Sequence, residues 1–250
     1  LENLDVTERF LWDYRQTISE LVVENYAGHL RTLARRHGLR LSIEAYGAPC
    51  DDIPYAGQAD EPMCEFWMGG GAFETVKGMA SAVHTYGRQI LGAEAFTAGD
   101  HEKWLDHPGS IKALGDRAFC DGVNRFVFHR FALQPWADRR PGMTMGPWGL
   151  HYERTQTWWE SSGRWHEYLA RCQFLLRQGL YGADLAYLQP EAAPQDFPPH
   201  NPTGYAYDHC PADVVLTRMT VKEGRLTLPD GMSYRLLVLP ETPTMTPALL

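Results

Sequence analysis

Three short apolar runs each carry a glutamate at or near the point where the chain would leave a strand: Glu44 in LSIEAYG, Glu65 in MCEFW and Glu94 in ILGAEAFT. A fourth run, RFVFHRFALQP, carries His129 in a similar place. A carboxylate beside buried apolar residues is costly unless it is paired or used. Repetition of the pattern points to acid/base chemistry on an uncharged polar substrate, with sugars the obvious class. Cleaving a glycosidic bond needs two carboxyl groups: one protonated to assist the leaving oxygen, one ionised to activate water or attack the sugar. Three acids meet that need and leave one for a metal or a hydroxyl. Glu94 is the sharpest of them, because Gly92, Ala93 and Ala95 leave room beside its carboxylate. For each acid the bland alternative is a structural carboxylate paired to a cation or a backbone amide.

Residues around these acids extend the pattern. His129, with Arg130 and Gln134 close by, could hydrogen-bond sugar hydroxyls, although a satisfied core histidine fits equally well. Trp67, Trp104, Trp136 and Trp148 lie in or beside loops that follow strands, where flat rings stack on sugars. Trp158, Trp159 and Trp165 fall inside a helical pattern and read as core. Asp51, Asp52, Asp60 and Glu61 form an acidic loop that could take calcium, but its order is not that of an EF-hand and a solvated loop explains it. No metal ligands are assigned. HExxH and GxSxG are absent, and Gly69-Gly70-Gly71 lacks the Lys-Ser/Thr of a phosphate loop. The five cysteines show no zinc spacing and read as small buried thiols, with a Cys50–Cys64 bridge open if the protein is exported.

The positioning elements follow from periodicity. Thr7 to His37 keeps a helical apolar stripe and stops at Gly38. Strands are expected at 41–46, 64–67, 90–97, 125–134 and 183–188, and helices at 72–88, 110–122 and 155–179. The alternation indicates a parallel α/β fold, here a partial (β/α)8 TIM-type barrel over residues 1–190. Acids at strand ends would then face the barrel's active-site mouth. Residues 191–211, with five prolines, read as linker-like, and 212–250 as the start of a second, truncated α/β domain. With 31 acidic and 23 basic residues the chain carries a formal charge of −8, which argues against nucleic acid as a partner. No run reaches the roughly 20 apolar residues of a membrane span. The first and last residues suit an internal piece of a longer protein, which would expose apolar surface and be inactive if isolated.

The stretches FLWDYRQTISELVVENY, EAYGAPCDD, DEPMCEFW, SAVHTYGRQILGAEAFT, GVNRFVFHRFALQP, PGMTMGPWG and RTQTWW, then LARCQFLLRQG, YDHCPADVVL and LPDGMSYRLLVLPE, resemble the family 106 glycoside hydrolases, the α-L-rhamnosidases. The resemblance runs over nearly the whole chain. It implies an inverting glycosidase that removes terminal L-rhamnose with the help of calcium, in a periplasmic or secreted setting. It implies that Glu94 is the general base, Glu65 a second essential acid, and Glu44 a ligand of sugar or calcium. The general acid would fall upstream of Leu1. His129, Trp67, Gln134 and Trp148 complete the candidate substrate-binding set. Two rivals stand beside this reading: a retaining, β-galactosidase-like barrel glycosidase, and a non-catalytic carbohydrate-binding barrel.

Overall fold

The structure, a computed structural model, describes residues 3–195, 204–242 and 244–250. In chain order the helices are α1 (Leu4–Leu21), continued by a π-helical turn (Val22–Gly28) into α2 (His29–Arg36), then α3 (Asp52–Gln58), α4 (Glu74–Thr85), α5 (Pro108–Cys120), α6 (Gly163–Leu176) and α7 (Ala212–Thr217). The strands are β1 (Ser42–Glu44), β2 (Glu61–Trp67), β3 (Gly92–Thr97), β4 (Arg125–Phe128), β5 (Leu185–Leu188), β6 (Tyr207–Cys210), β7 (Thr220–Lys222), β8 (Arg225–Thr227), β9 (Ser233–Tyr234) and β10 (Leu236–Val238). The long first helix expected from periodicity is present. Asn3 caps it by accepting the Asp5 amide at 2.8 Å, and Gly38, with φ of +68°, ends it. Its apolar stripe stays open, with Leu4, Val6, Phe10, Tyr14 and Leu21 more than half exposed.

The chain divides into two compact units. The first comprises Leu1–Met63, Lys77–Ile90 and Leu180–Leu250; the second comprises Cys64–Val76 and Leu91–Gly179. In the first unit β1 pairs in parallel with the start of β2, Glu44 opposite Met63. Asp60 ties α2 to this pair by accepting from Arg35 at 2.7 Å and from the Leu41 amide at 3.1 Å. Glu61 meets Arg40 at 2.7 Å. Half of the expected acidic loop is therefore engaged by arginines, and Asp52 opens α3 instead of lying in a loop.

Leu185–Leu188, expected alongside the glutamate-bearing strands, instead lies between two others in the order β10-β5-β6, parallel on both sides. β6 falls inside the stretch expected to be a linker, of which 196–203, with Pro198, Pro199 and Pro202, lie outside the described residues. Beyond α7 the chain forms the antiparallel meander β7-β8-β9, its last turn made at Pro229–Gly231. Tyr234, Leu228, Met232, Ala186, Cys210 and Val214 form the buried core here. All five cysteines are free thiols, Cys50 and Cys64 among them.

The second unit holds the rest of β2 with β3 and β4, strand order following chain order. β3 and β4 are parallel, with Glu94 opposite Val127. Beneath them Phe66, Phe96, Phe119 and Phe126 interlock, with ring centroids 4.4 to 5.7 Å apart for Phe119–Phe126, Phe66–Phe96, Phe96–Phe126 and Phe66–Phe126. α5 approaches closely enough that a Cβ on Gly115 would lie 3.0 Å from the Phe96 ring. The strand expected over 125–134 stops at Phe128, because the chain turns to exchange hydrogen bonds with Leu150: Leu150 N to His129 O at 2.7 Å and Arg130 N to Leu150 O at 3.1 Å. The helix expected from Thr155 begins only at Gly163, since Trp158 and Trp159 pack around Tyr152 at 5.1 and 5.7 Å. Among the described residues no helix is long and apolar enough to cross a membrane.

Candidate active site

Alternation along β2 buries Cys64 and Phe66 and leaves Glu65 and Trp67 half-exposed on the other face. The Trp67 indole N–H donates to Glu65 Oε1 in a short hydrogen bond. A threonine in the first turn of α4 locks this strand end: Thr75 Oγ1 donates to Glu65 O at 3.1 Å.

On β3, Glu94 is the half-open position in an otherwise buried strand. Phe96 sits at φ +62°, a left-handed conformation that costs a bulky residue on the order of 1–3 kcal/mol. The twist brings Thr97 back toward Glu94, and Thr97 Oγ1 donates to Glu94 Oε1 at 2.5 Å. His129, just past β4, places Nδ1 3.3 Å from the same carboxylate oxygen and 3.2 Å from Thr97 Oγ1. Glu94 Oε2 makes no hydrogen bond among the described residues. One oxygen is held and the other is presented.

The loop from Pro135 to Gly149 returns to both acids. Met145 Sδ lies 3.3 Å from His129 Nε2, beside Glu94. Trp148 packs edge-on against Trp67, centroids 5.7 Å apart, beside Glu65. Gly149 permits this return: its φ is +92°, and a Cβ there would meet Arg130 Cγ at 2.9 Å and His129 O at 3.2 Å. Six expected residues therefore belong to one unit: Glu65, Trp67, Glu94, His129, Gln134 and Trp148. Glu44 closes β1 in the other unit, with the Tyr46 hydroxyl 3.4 Å from its carboxylate.

A buried polar cluster supports the loop. Glu102, His151 and Glu153 are 1%, 5% and 0% exposed. His151 Nδ1 makes a short contact with Glu102 Oε2, and the Trp104 ring lies over His151 at 3.7 Å. Glu153 accepts from Trp104 Nε1 at 3.0 Å, Thr155 Oγ1 at 2.8 Å and Gln134 Nε2 at 3.1 Å. Arg130 bridges outward, donating through Nε to Trp148 O at 3.2 Å. Burial holds its guanidinium below the ordinary arginine range, offset by Glu153 and Glu102. Glu102 Oε1 and Arg130 Nη1 are both buried without a hydrogen bond among the described residues. The sequence marks this cluster only as His151 on a loop and two further acids, Glu102 and Glu153, outside any apolar strand. Nothing in their spacing brings them together.

Half-open carboxylates on parallel strands, walled by indoles, define a site suited to carbohydrate in an α/β protein. The profile of glycoside hydrolase family 106, described as alpha-L-rhamnosidase, matches residues 1–250, and the chain belongs to that family. It is 38% identical over 254 residues to a protein of Formosa agariphila called "Putative beta-glucuronidase", covering 100% of this chain and 22% of that one. The solved structure of a rhamnosidase from Novosphingobium sp. PP1Y superposes with a TM-score of 0.90 at 30% identity, over 96% of this chain and 24% of the other. The chain thus spans about a quarter or less of the length of these relatives.

Proposed function

We propose that the full-length protein is a glycosidase that removes terminal α-L-rhamnose from glycans or glycosides with inversion, in a (β/α) barrel to which β1–β4 contribute. Membership of family 106 and the likeness to a solved rhamnosidase support the sugar. The single observation that carries the chemistry is Glu94, one oxygen fixed by Thr97 and His129 and the other open. An ionised carboxylate so oriented takes a proton from water as that water attacks the anomeric carbon. A second carboxyl group, on a part of the protein upstream of Leu1, protonates the departing oxygen. Glu65, restrained by Trp67, is the second acid of the pocket, and Trp67 and Trp148 wall it. His129, beside Glu94, completes the contacts to sugar hydroxyls.

The resemblance also implies calcium, whose coordination takes six to eight oxygens. Among the described residues no three His, Cys, Asp or Glu side chains converge to hold such an ion, and Asp60 and Glu61 are bound to arginines.

The test is the anomer released first. Proton NMR of the full-length enzyme acting on an aryl α-L-rhamnoside should show β-L-rhamnose before mutarotation. First appearance of the α-anomer would replace inversion by retention. Release of glucuronate from an aryl β-glucuronide, with no rhamnose from the rhamnoside, would overturn the reading altogether.

A further inference from the structure

The loop that carries Trp148 has a second face. Gln134, Trp136, Arg139, Arg140, Arg154 and Thr155 line a depression of about 140 Å³ within the second unit. Three arginines line it, in a chain that carries 31 acidic and 23 basic residues overall. None of the three arginines makes an ion pair among the described residues, and Asp138 is the one acid in the sequence between Gln134 and Gly149. Arg154 is built in. Its Nε donates to Gln134 Oε1 at 2.9 Å and its Nη2 to Gln134 O at 2.7 Å. Gln134 is itself anchored, through Nε2, to Pro141 O at 2.6 Å and to the buried Glu153 at 3.1 Å. Trp136 is 62% exposed at the rim and offers a flat ring face.

Like charges gathered on one loop repel one another, and an anion that bridges them relieves the repulsion. Planar, permanently charged guanidinium groups match carboxylate and sulfate oxygens in pairs. The neighbouring indole suits a sugar ring. From this we propose that the loop is an anion-recognising subsite that binds a carboxylate or sulfate ester on the sugar next to the rhamnose being released. The proposal rests on the glycosidase reading and narrows its substrates to acidic glycans.

The experiment uses the full-length enzyme and three disaccharides with terminal α-L-rhamnose: one on glucuronate, one on a sulfated glucose, one on neutral glucose. The ratio of kcat/KM between acidic and neutral substrates is read at low and high salt. Exposed pairs contribute little individually, so a preference of about tenfold at low salt is expected from three arginines together. It should shrink as salt screens the charges. In R139Q/R140Q the ratio should fall to within about threefold of unity, and R139K/R140K should recover part of it. Preference for one acidic substrate alone supports the proposal and names the anion. A ratio near one in the unaltered enzyme, or one that neither salt nor R139Q/R140Q changes, overturns it. Calorimetric titration with methyl glucuronide and with glucose 6-sulfate separates the two failures. Arginine-dependent binding without any rhamnose release sinks the glycosidase reading and keeps the subsite. Rhamnose release without binding or preference does the reverse.

Discussion

Asp208 and Glu94 are both acids on parallel strands, one in each unit, and the protein treats them in opposite ways. Asp208 on β6 is fully buried and surrounded by donors: His84 Nδ1 at 2.9 Å, Tyr234 OH at 3.1 Å, Ser81 Oγ at 3.2 Å and Lys77 Nζ at 3.3 Å. Burial alone would raise its pKa, but His84 and Lys77 together with these hydrogen bonds hold it below the ordinary carboxylate range. Glu94 has one oxygen engaged and the side chain a quarter exposed. A buried carboxylate with both oxygens engaged can only hold the fold together. One with an oxygen to spare can accept a proton.

The sharpest way to break this contrast is to substitute each acid by its amide. Glu94→Gln in the full-length enzyme keeps the shape and the Thr97 contact but cannot take a proton from water. The expected loss is about 10²–10⁴-fold in kcat, with little change in affinity for rhamnose. A fall of less than roughly tenfold on an aryl α-L-rhamnoside would pass the role of base to Glu65. Asp208→Asn should do the opposite. It strands Lys77 and His84 against an uncharged group in the core, a change that costs about 3–5 kcal/mol when a buried pair loses one partner. Hydrogen exchange should speed up across Lys77–Thr85 and Tyr207–Cys210, while kcat per folded molecule holds. Equal losses of activity in both variants would dissolve the distinction between the two acids.

A third acid sharpens the comparison through pH. Asp51, in the first unit, is pushed up to about 6, chiefly by burial, with Asp213 adding to the rise and the Gln195 backbone amide opposing it. Its Oδ1 has no partner among the described residues. A raised carboxyl pKa means the folded state holds the proton more tightly than the unfolded one. Its contribution to stability is complete below about pH 4 and is lost as pH rises through 6. Asp208, shifted downward, stabilises above the ordinary carboxylate pKa and loses that contribution in acid. Asp51→Asn mimics the protonated form, so it should stabilise the first unit at pH 7 by about 1–3 kcal/mol and make no difference near pH 4. Urea midpoints of the full-length protein at the two pH values check this. A variant that is less stable than its parent at pH 7 would show that the Asp51 carboxylate is engaged after all.

The acids were legible in the sequence because they interrupt apolar runs, and that signal is local. Glu44, Glu65 and Glu94 each sit on a strand for that reason. Trp67 and Trp148 were legible as loop aromatics, although their meeting depends on the return of a loop from Pro135 to Gly149 that no periodicity encodes. The sheet partners of Leu185–Leu188 are not legible for a similar reason. A short buried strand carries no mark of which neighbour it takes, and its partner β10 lies some fifty residues downstream, beyond a meander. Thr97 was invisible as a contact of Glu94, since it reaches back only because Phe96 adopts a left-handed backbone that a phenylalanine seldom takes. The Glu102–His151 contact joins residues 49 apart in irregular chain, where neither period of secondary structure applies.

The smallest expected effect tests whether Glu65 belongs with Glu94 or with Asp208. Its carboxylate accepts the Trp67 indole N–H, and Trp67 in turn packs on Trp148. Trp67→Phe removes the donor but keeps an aromatic wall. If Glu65 is a working acid oriented by that bond, losing one hydrogen bond to a charged group costs about 1.5–3 kcal/mol at most, only part of it felt in the transition state. The expected result in the full-length enzyme is a roughly three- to tenfold fall in kcat/KM on an aryl α-L-rhamnoside. The melting temperature should change little, since Trp67 is half-exposed. A large drop in stability with kcat/KM per folded molecule unchanged would instead make the Glu65–Trp67 pair a structural bond like those of Asp208.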